Sequence, residues 1–176
     1  MESLDTLRDL AERVGKAKFS AERAALWLVK IPLLGTAAAE SEKTEKQLQY
    51  KTQHVSLNLR STEAAFARMG WAVEVKKRPG KPFPERITIG RAPNGDVVLR
   101  FGYISKLHAY FQVTEQGEMF LHDHNSANGT AANGTALMSG APVRIQAGDV
   151  LEFGALRVQV MSAANLYDRL RADDWK

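Results

Sequence analysis

Arg86-Ile87-Thr88-Ile89-Gly90-Arg91, then Asn94-Gly95-Asp96-Val97-Val98-Leu99, then Ser105-Lys106-Leu107-His108 running into Ala109-Tyr110-Phe111-Gln112-Val113, is the stretch on which the fold turns. Each piece is a short β-rich run cut off by turn formers, and helical periodicity is missing throughout. The same texture extends on both sides. Strands are expected at 73–75, 86–89, 97–99, 109–113, 119–121, 143–145, 150–153 and 156–161. Asn94-Gly95, Asn128-Gly129 and Asn133-Gly134 fall between them, and such pairs suit tight hairpin turns because both residues tolerate positive φ. Many short strands separated by frequent turns make a sandwich.

Before Trp71 the texture changes. Only three of the 13 glycines lie in the first 70 residues. Leu4, Leu7, Leu10, Ala11 and Val14 recur at helical spacing and predict an amphipathic helix over 4–14. Ser20 is read as the cap of a second helix over 21–31, apolar nearly all round through Ala24, Ala25, Leu26, Trp27, Leu28 and Val29 and ended by Pro32. Residues 37–51 are polar and helix-permissive, 54–60 alternate like a strand, and 62–69 read as a short helix stopped by Gly70. A closing helix is expected over 163–170.

The whole chain, 176 residues with 44% hydrophobic and 25% charged residues, is of ordinary globular composition and has room for one domain plus an appendage. Cysteine is absent, which excludes disulfides, thiolate nucleophiles and cysteine-ligated metals and suits a reducing compartment. The net charge of +4 is spread evenly, 11 basic against 9 acidic residues over 1–70 and 13 against 11 over 71–176, so no basic stripe points to nucleic acid. A secretion signal and an apolar run long enough to span a membrane are both missing, and we read the chain as cytoplasmic.

Gly90-Arg91, Ser105-Lys106-Leu107-His108, Ser126-Ala127-Asn128-Gly129-Thr130 and Gly148-Asp149 leading to Phe153-Gly154 stand in the order typical of one family, with Leu121-His122-Asp123 before the Asn-Gly-Thr. Over about residues 71–162 the chain resembles the forkhead-associated (FHA) domain. The resemblance implies a mainly β protein: an eleven-stranded FHA-type sandwich whose loops at one end bind phosphothreonine peptides without chemical change. The chain then divides into a helical amino-terminal region (1–70), the FHA domain (71–162) and a carboxy-terminal helix (163–176).

Residue chemistry agrees with that function. Phosphothreonine carries close to two negative charges and three strong acceptor oxygens, so its receptor needs fixed donors and positive charge on converging loops. Arg91 can supply a bidentate fork, Lys106 a point charge, Ser105 a hydroxyl, and Asn128 an amide for the peptide main chain. In the resembled family the histidine matched by His108 is structural and braces the binding loops, while Asp123 matches an aspartate that holds the Asn-Gly turn. Gly90, Gly129 and Thr130 complete the supporting set. Many family members place Ser or Thr where this chain has Ala127, so one donor is missing here.

The alternatives are weaker. His122-Asp123-His124 could place two imidazoles on one side of a strand, but a third and fourth ligand are wanting, so no metal and no cofactor are expected. A catalytic constellation is equally wanting, and an enzyme is not expected. The reading is a phosphothreonine-dependent adaptor in Ser/Thr kinase signalling, its partner a phosphorylated kinase or kinase substrate. The alternative is a phospho-independent interaction or scaffold module that keeps the sandwich. Leu26, Trp27, Leu28, Val29, Leu33 and Leu34 must bury their apolar surface somewhere, which casts the amino-terminal region as a docking element or a contact between copies of the chain. A fragment beginning near Trp71 should then stay folded.

Overall fold

The computed structural model describes residues 1–30, 70–138 and 140–172. The elements read over 37–51, 54–60 and 62–69, and the stop at Pro32, lie outside the described residues. β1 (Glu2–Ser3) leads into α1 (Leu4–Val14) and α2 (Lys16–Glu22), then β2 (Leu26–Lys30). After residue 70 come β3 (Trp71–Glu74), β4 (Arg86–Gly90), β5 (Val97–Val98), β6 (Ala109–Val113), β7 (Met119–Asp123), β8 (Thr130–Ala132), β9 (Thr135–Ala136), β10 (Val143–Ile145), β11 (Val150–Phe153) and β12 (Leu156–Ser162). The chain's last described element is α3 (Ala163–Arg171).

Two sheets face each other. One has seven strands in the order β1-β3-β2-β12-β11-β8-β9, the other five in the order β10-β7-β6-β4-β5. Every pairing is antiparallel except that of β4 with β5, where Ile89 lies opposite Val97 and Gly90 opposite Val98. The two inner faces enclose a core built around Leu28, Trp71, Ile89, Leu99, Phe111, Leu121 and Phe153, each buried to 1% exposure or less. The expected sandwich is therefore present. β8 and β9 add a hairpin that the sequence suggested only through its turn: Asn133 and Gly134 both take positive φ, at 50° and 79°.

The amino-terminal region departs from expectation at one point, and the departure shapes the molecule. Residues 26–30 form a strand, not a helix, and it sits inside the seven-stranded sheet with Val29 opposite both Gln159 of β12 and Ala72 of β3. Alternate residues of β2 leave in opposite directions. Leu28 enters the sandwich core, while Trp27 and Val29 join a second core with Leu4, Leu7, Ala11, Phe19, Met161, Leu166 and Leu170. A strand buried on both faces reads as a continuous apolar run, the same signature as a fully buried helix. β2 supplies one of the eleven strands from β2 to β12, so the sandwich draws on residues before Trp71.

α1, α2 and α3 make a third layer over the outer face of the seven-stranded sheet. Ser3 caps α1, its Oγ accepting from Thr6 N at 3.1 Å, and Ser162 caps α3 in the same way through Asn165 N. Ser20, expected as a cap, lies within α2 with its hydroxyl buried and unpartnered. Exposed ion pairs Lys16–Asp168 and Glu12–Arg171 tie α2 and α1 to α3 within this layer, each worth ~0.2–1 kcal/mol. The layer is held mainly by its apolar contacts. Trp27 and Val29 are thus covered by this chain's own helices, and Leu26 and Leu28 by its sandwich core. None of the helices is long and apolar enough to cross a membrane among the described residues.

Candidate functional site

β4, β7 and β11 finish, and β6, β8 and β12 begin, at one end of the sandwich, where the loops after β4, before β6, after β7 and between β11 and β12 meet. Gly90 closes β4 there. A Cβ at this position would lie 2.1 Å from the backbone oxygen of Lys106, so only glycine lets the two segments come this close. The approach is then locked by Arg91 N donating to Ser105 O at 3.0 Å and Ala92 N to Lys106 O at 3.2 Å. Arg91, Ser105 and Lys106, chosen from the sequence as phosphate donors, are therefore neighbours along two hydrogen-bonded segments.

Arg91 and Lys106 are exposed, and neither side chain makes an ion pair or hydrogen bond among the described residues. Ser105 is differently placed. Its Oγ accepts the Ala127 backbone N–H at 3.1 Å, which occupies a lone pair and leaves the hydroxyl proton to donate elsewhere. The same bond joins the Ser105 loop to the loop after β7.

Beneath these groups lies His108, fully buried. Its Nδ1 accepts from Ser105 N at 3.1 Å and its Nε2 bonds Gly129 O at 3.0 Å. A backbone N–H can only donate, so Nδ1 carries no proton and the Nε2–H is the one directed at Gly129. Burial pushes the His108 pKa below the ordinary imidazole value, although the Gly129 carbonyl and the Asp123 charge pull the other way. The neutral ring thus satisfies both loops at once. Phe153 meets it edge-on, with ring centroids 5.8 Å apart.

Asp123 organises the second loop. Its carboxylate accepts from Ser126 Oγ at 2.6 Å, Ser126 N at 3.0 Å and Thr130 Oγ1 at 2.5 Å. Burial works to raise the Asp123 pKa, but these hydrogen bonds outweigh it and hold the carboxyl below the usual carboxylate range. Ser126 is consequently turned inward, and Ala127 is the exposed residue of the pair. Gly129, at φ 78°, makes the turn and offers its carbonyl to both His108 and Gly154 N.

Asn128 Nδ2 donates to Tyr103 O at 2.7 Å, tying the loop after β7 to the segment before Ser105. Its Oδ1 stays without a protein partner among the described residues. One support escaped the sequence reading, the Tyr103 carbonyl, a backbone atom that leaves no signature; a second support is Gly154, where a Cβ would approach Asn128 Cβ to 3.2 Å. Phe153-Gly154 was legible only as a piece of the pattern. His122 and His124 flank Tyr110, whose ring stacks on His122 at 4.6 Å and 7°.

The FHA domain family model matches residues 87–154. No curated protein matches the chain. Among solved structures, the FHA domain of the CT664 protein from Chlamydia trachomatis is similar at 18% identity over 78% of this chain and 97% of that one, with a TM-score of 0.46. The amino-terminal FHA domain of S. cerevisiae Rad53p, solved with a phosphothreonine peptide, is similar at 19% identity over 82% and 98%, with a TM-score of 0.44. An FHA domain of an Arabidopsis thaliana protein shares 26% identity over 52% and 73%, with a TM-score of 0.42.

Proposed function

We propose that this chain, whose residues 87–154 are a forkhead-associated domain, is an adaptor that reads phosphothreonine in a partner protein and performs no reaction on it. One observation carries the reading: Arg91, Ser105 and Lys106 stand side by side with their donors unspent, on loops that His108, Asp123 and Asn128 brace from behind. The backbone segments that carry these donors are braced before the ligand arrives and need little ordering on binding. Arg91 grips two phosphate oxygens, Lys106 adds charge, and the Ser105 hydroxyl takes a third oxygen. Asn128 Oδ1 is available to a main-chain N–H of the peptide. The binding unit comprises residues 26–30 and 71–162, with the helical layer as its backing. The partner is a Ser/Thr kinase or a kinase substrate, met in the cytoplasm.

A second reading, phosphate-independent contact through the same loops, draws on Ala127, which brings no hydroxyl to an exposed position where one could reach a phosphate. Calorimetry on a phosphothreonine peptide library, with unphosphorylated counterparts, separates the two. Arg91→Ala should lose about 2–4 kcal/mol of phosphopeptide binding, from two charge-assisted hydrogen bonds, while its thermal melt stays that of the parent. Equal binding of phosphorylated and plain peptides would favour the second reading.

A further inference from the structure

Most cationic side chains of the described residues are spoken for. On the helical layer Lys16 holds Asp168 and Arg171 holds Glu12, while Arg23 bridges Glu2 and Glu74. On the sheets Lys77 meets the buried Asp96, Arg144 meets Glu118 and Arg157 meets Glu152. Lys81, Arg91, Arg100 and Lys106 have neither an ion pair nor a hydrogen bond among the described residues. Lys81 stands before β4, at the end of the sandwich away from the loops just described. The other three belong to the reading end.

Backbone hydrogen bonds set their order. Gly90 O accepts Leu99 N at 2.9 Å, while Arg91 N and Ala92 N reach across to Ser105 O and Lys106 O. The segment bearing Arg91 is therefore bracketed by the one bearing Arg100 and the one bearing Lys106. β4 and β5 run parallel with Gly90 opposite Val98, so Arg91 and Arg100 both emerge just past the ends of neighbouring strands. All three cations are exposed. The carboxylates of the same loops cannot neutralise them: Asp96 is buried against Thr88, Lys77 and the Arg78 backbone, and Asp123 is taken up by Ser126 and Thr130.

Like charges gathered without counter-charges raise the local potential and favour an anion with more than one charged group. A phosphate dianion is matched by Arg91 and Lys106, which leaves Arg100 in excess. We infer that Arg100 is a specificity-determining residue that takes the carboxylate of an acidic residue flanking the phosphothreonine, on the β5 side of the phosphate. This rests on the phosphothreonine reading and adds to it the class of peptide preferred.

The test uses the full chain and phosphothreonine peptides of otherwise uncharged sequence, in which a single glutamate is moved through the flanking positions. At one position glutamate should tighten binding about fivefold, the size of one partly screened ion pair, and added salt should shrink the gain. Arg100→Gln should abolish that gain and leave the glutamate-free peptide bound within about twofold of the parent, the scatter of an uncoupled surface change. Two results overturn the inference while the phosphothreonine reading stands: no gain from glutamate at any position, or an Arg100→Gln variant that weakens the glutamate-free peptide as much as the acidic one. If no phosphothreonine peptide binds the parent chain, both fall together.

Discussion

The two sheets of this molecule differ in how many of their faces are dry. The seven-stranded sheet is covered inside by the opposing sheet and, over β2, β3 and the Met161 end of β12, outside by α1, α2 and α3, so β2 is buried on both sides while Arg157 of β12 stays exposed. Among the described residues the five-stranded sheet is covered only inside. Its outer face carries half-exposed Tyr110, His122 and Phe120 with Arg86 over the Tyr110 ring at 5.2 Å. Among the described residues one sheet thus serves as the structural floor of the molecule and the other as a wall with one uncovered face. The binding loops hang from strands of both.

Removing the floor should have the largest effect. A chain begun at Trp71 lacks β2, which leaves β3 and β12 without the strand between them and uncovers Ala72, Met161 and Leu166. The structure therefore reverses the expectation that such a fragment stays folded: it should show no cooperative thermal transition. A sigmoidal melt with native near-ultraviolet dichroism would show that β2 is dispensable.

The single-residue form of the contrast sets Trp27 against Phe120. Trp27→Ala should cost about 3–5 kcal/mol, as expected for a large aromatic at zero exposure, and Phe120→Ala, on the open face, about 1 kcal/mol. Urea titrations measure both. Equal losses would mean that the helical layer seals its face no better than solvent does the other.

Acid sharpens the comparison at the reading end. The folded-state pKa of His108 is depressed, so between that value and the ordinary imidazole pKa of about 6.5 the unfolded chain binds the extra proton. Stability contributed by the neutral ring is complete above about pH 6.5 and declines as pH falls below it. His122, its pKa lowered by partial burial and by Arg86, adds to the decline from the open face. Urea midpoints followed from pH 7.5 to 5 should drop in the parent and drop less in His108→Gln. A further loss is expected as pH falls below about 3.9, where Asp96 and Asp123 bind protons in the unfolded chain before they do in the folded one.

The one gain expected is at Ala127. Its exposed side chain follows a backbone N–H already committed to Ser105 Oγ, so a hydroxyl added there is a donor the loop lacks. Ala127→Thr should tighten phosphopeptide binding by about 1.5 kcal/mol, less the cost of fixing a rotamer, and Ala127→Val should not. If Thr and Val behave alike by calorimetry, the side chain does not face the phosphate.

How much of this was legible follows the same division. Strands wet on one face announce themselves by alternation: Ala109–Val113, Val143–Ile145 and Val150–Phe153 fall where the pattern put them. α1 is as clear, its apolar stripe answering a floor it covers with one face only. Leu26–Lys30 is buried on both sides and has no period to show, so its pairing with residues far along the chain stays hidden. At the site, side chains that carry charge were visible as a pattern, whereas the Tyr103 and Gly129 carbonyls that brace them are backbone atoms common to every residue.

β2 also sets the order in which the molecule can be completed. Its neighbour β12 is synthesised last among the strands, so the floor cannot close until Ser162 has left the ribosome. Until then Leu26, Trp27, Leu28 and Val29 have no partner strand on that side, and contacts so distant in sequence form slowly. A nascent chain of this protein is accordingly longest at risk through β2, and chaperone dependence should track Leu26–Lys30 more closely than any segment of the finished binding end.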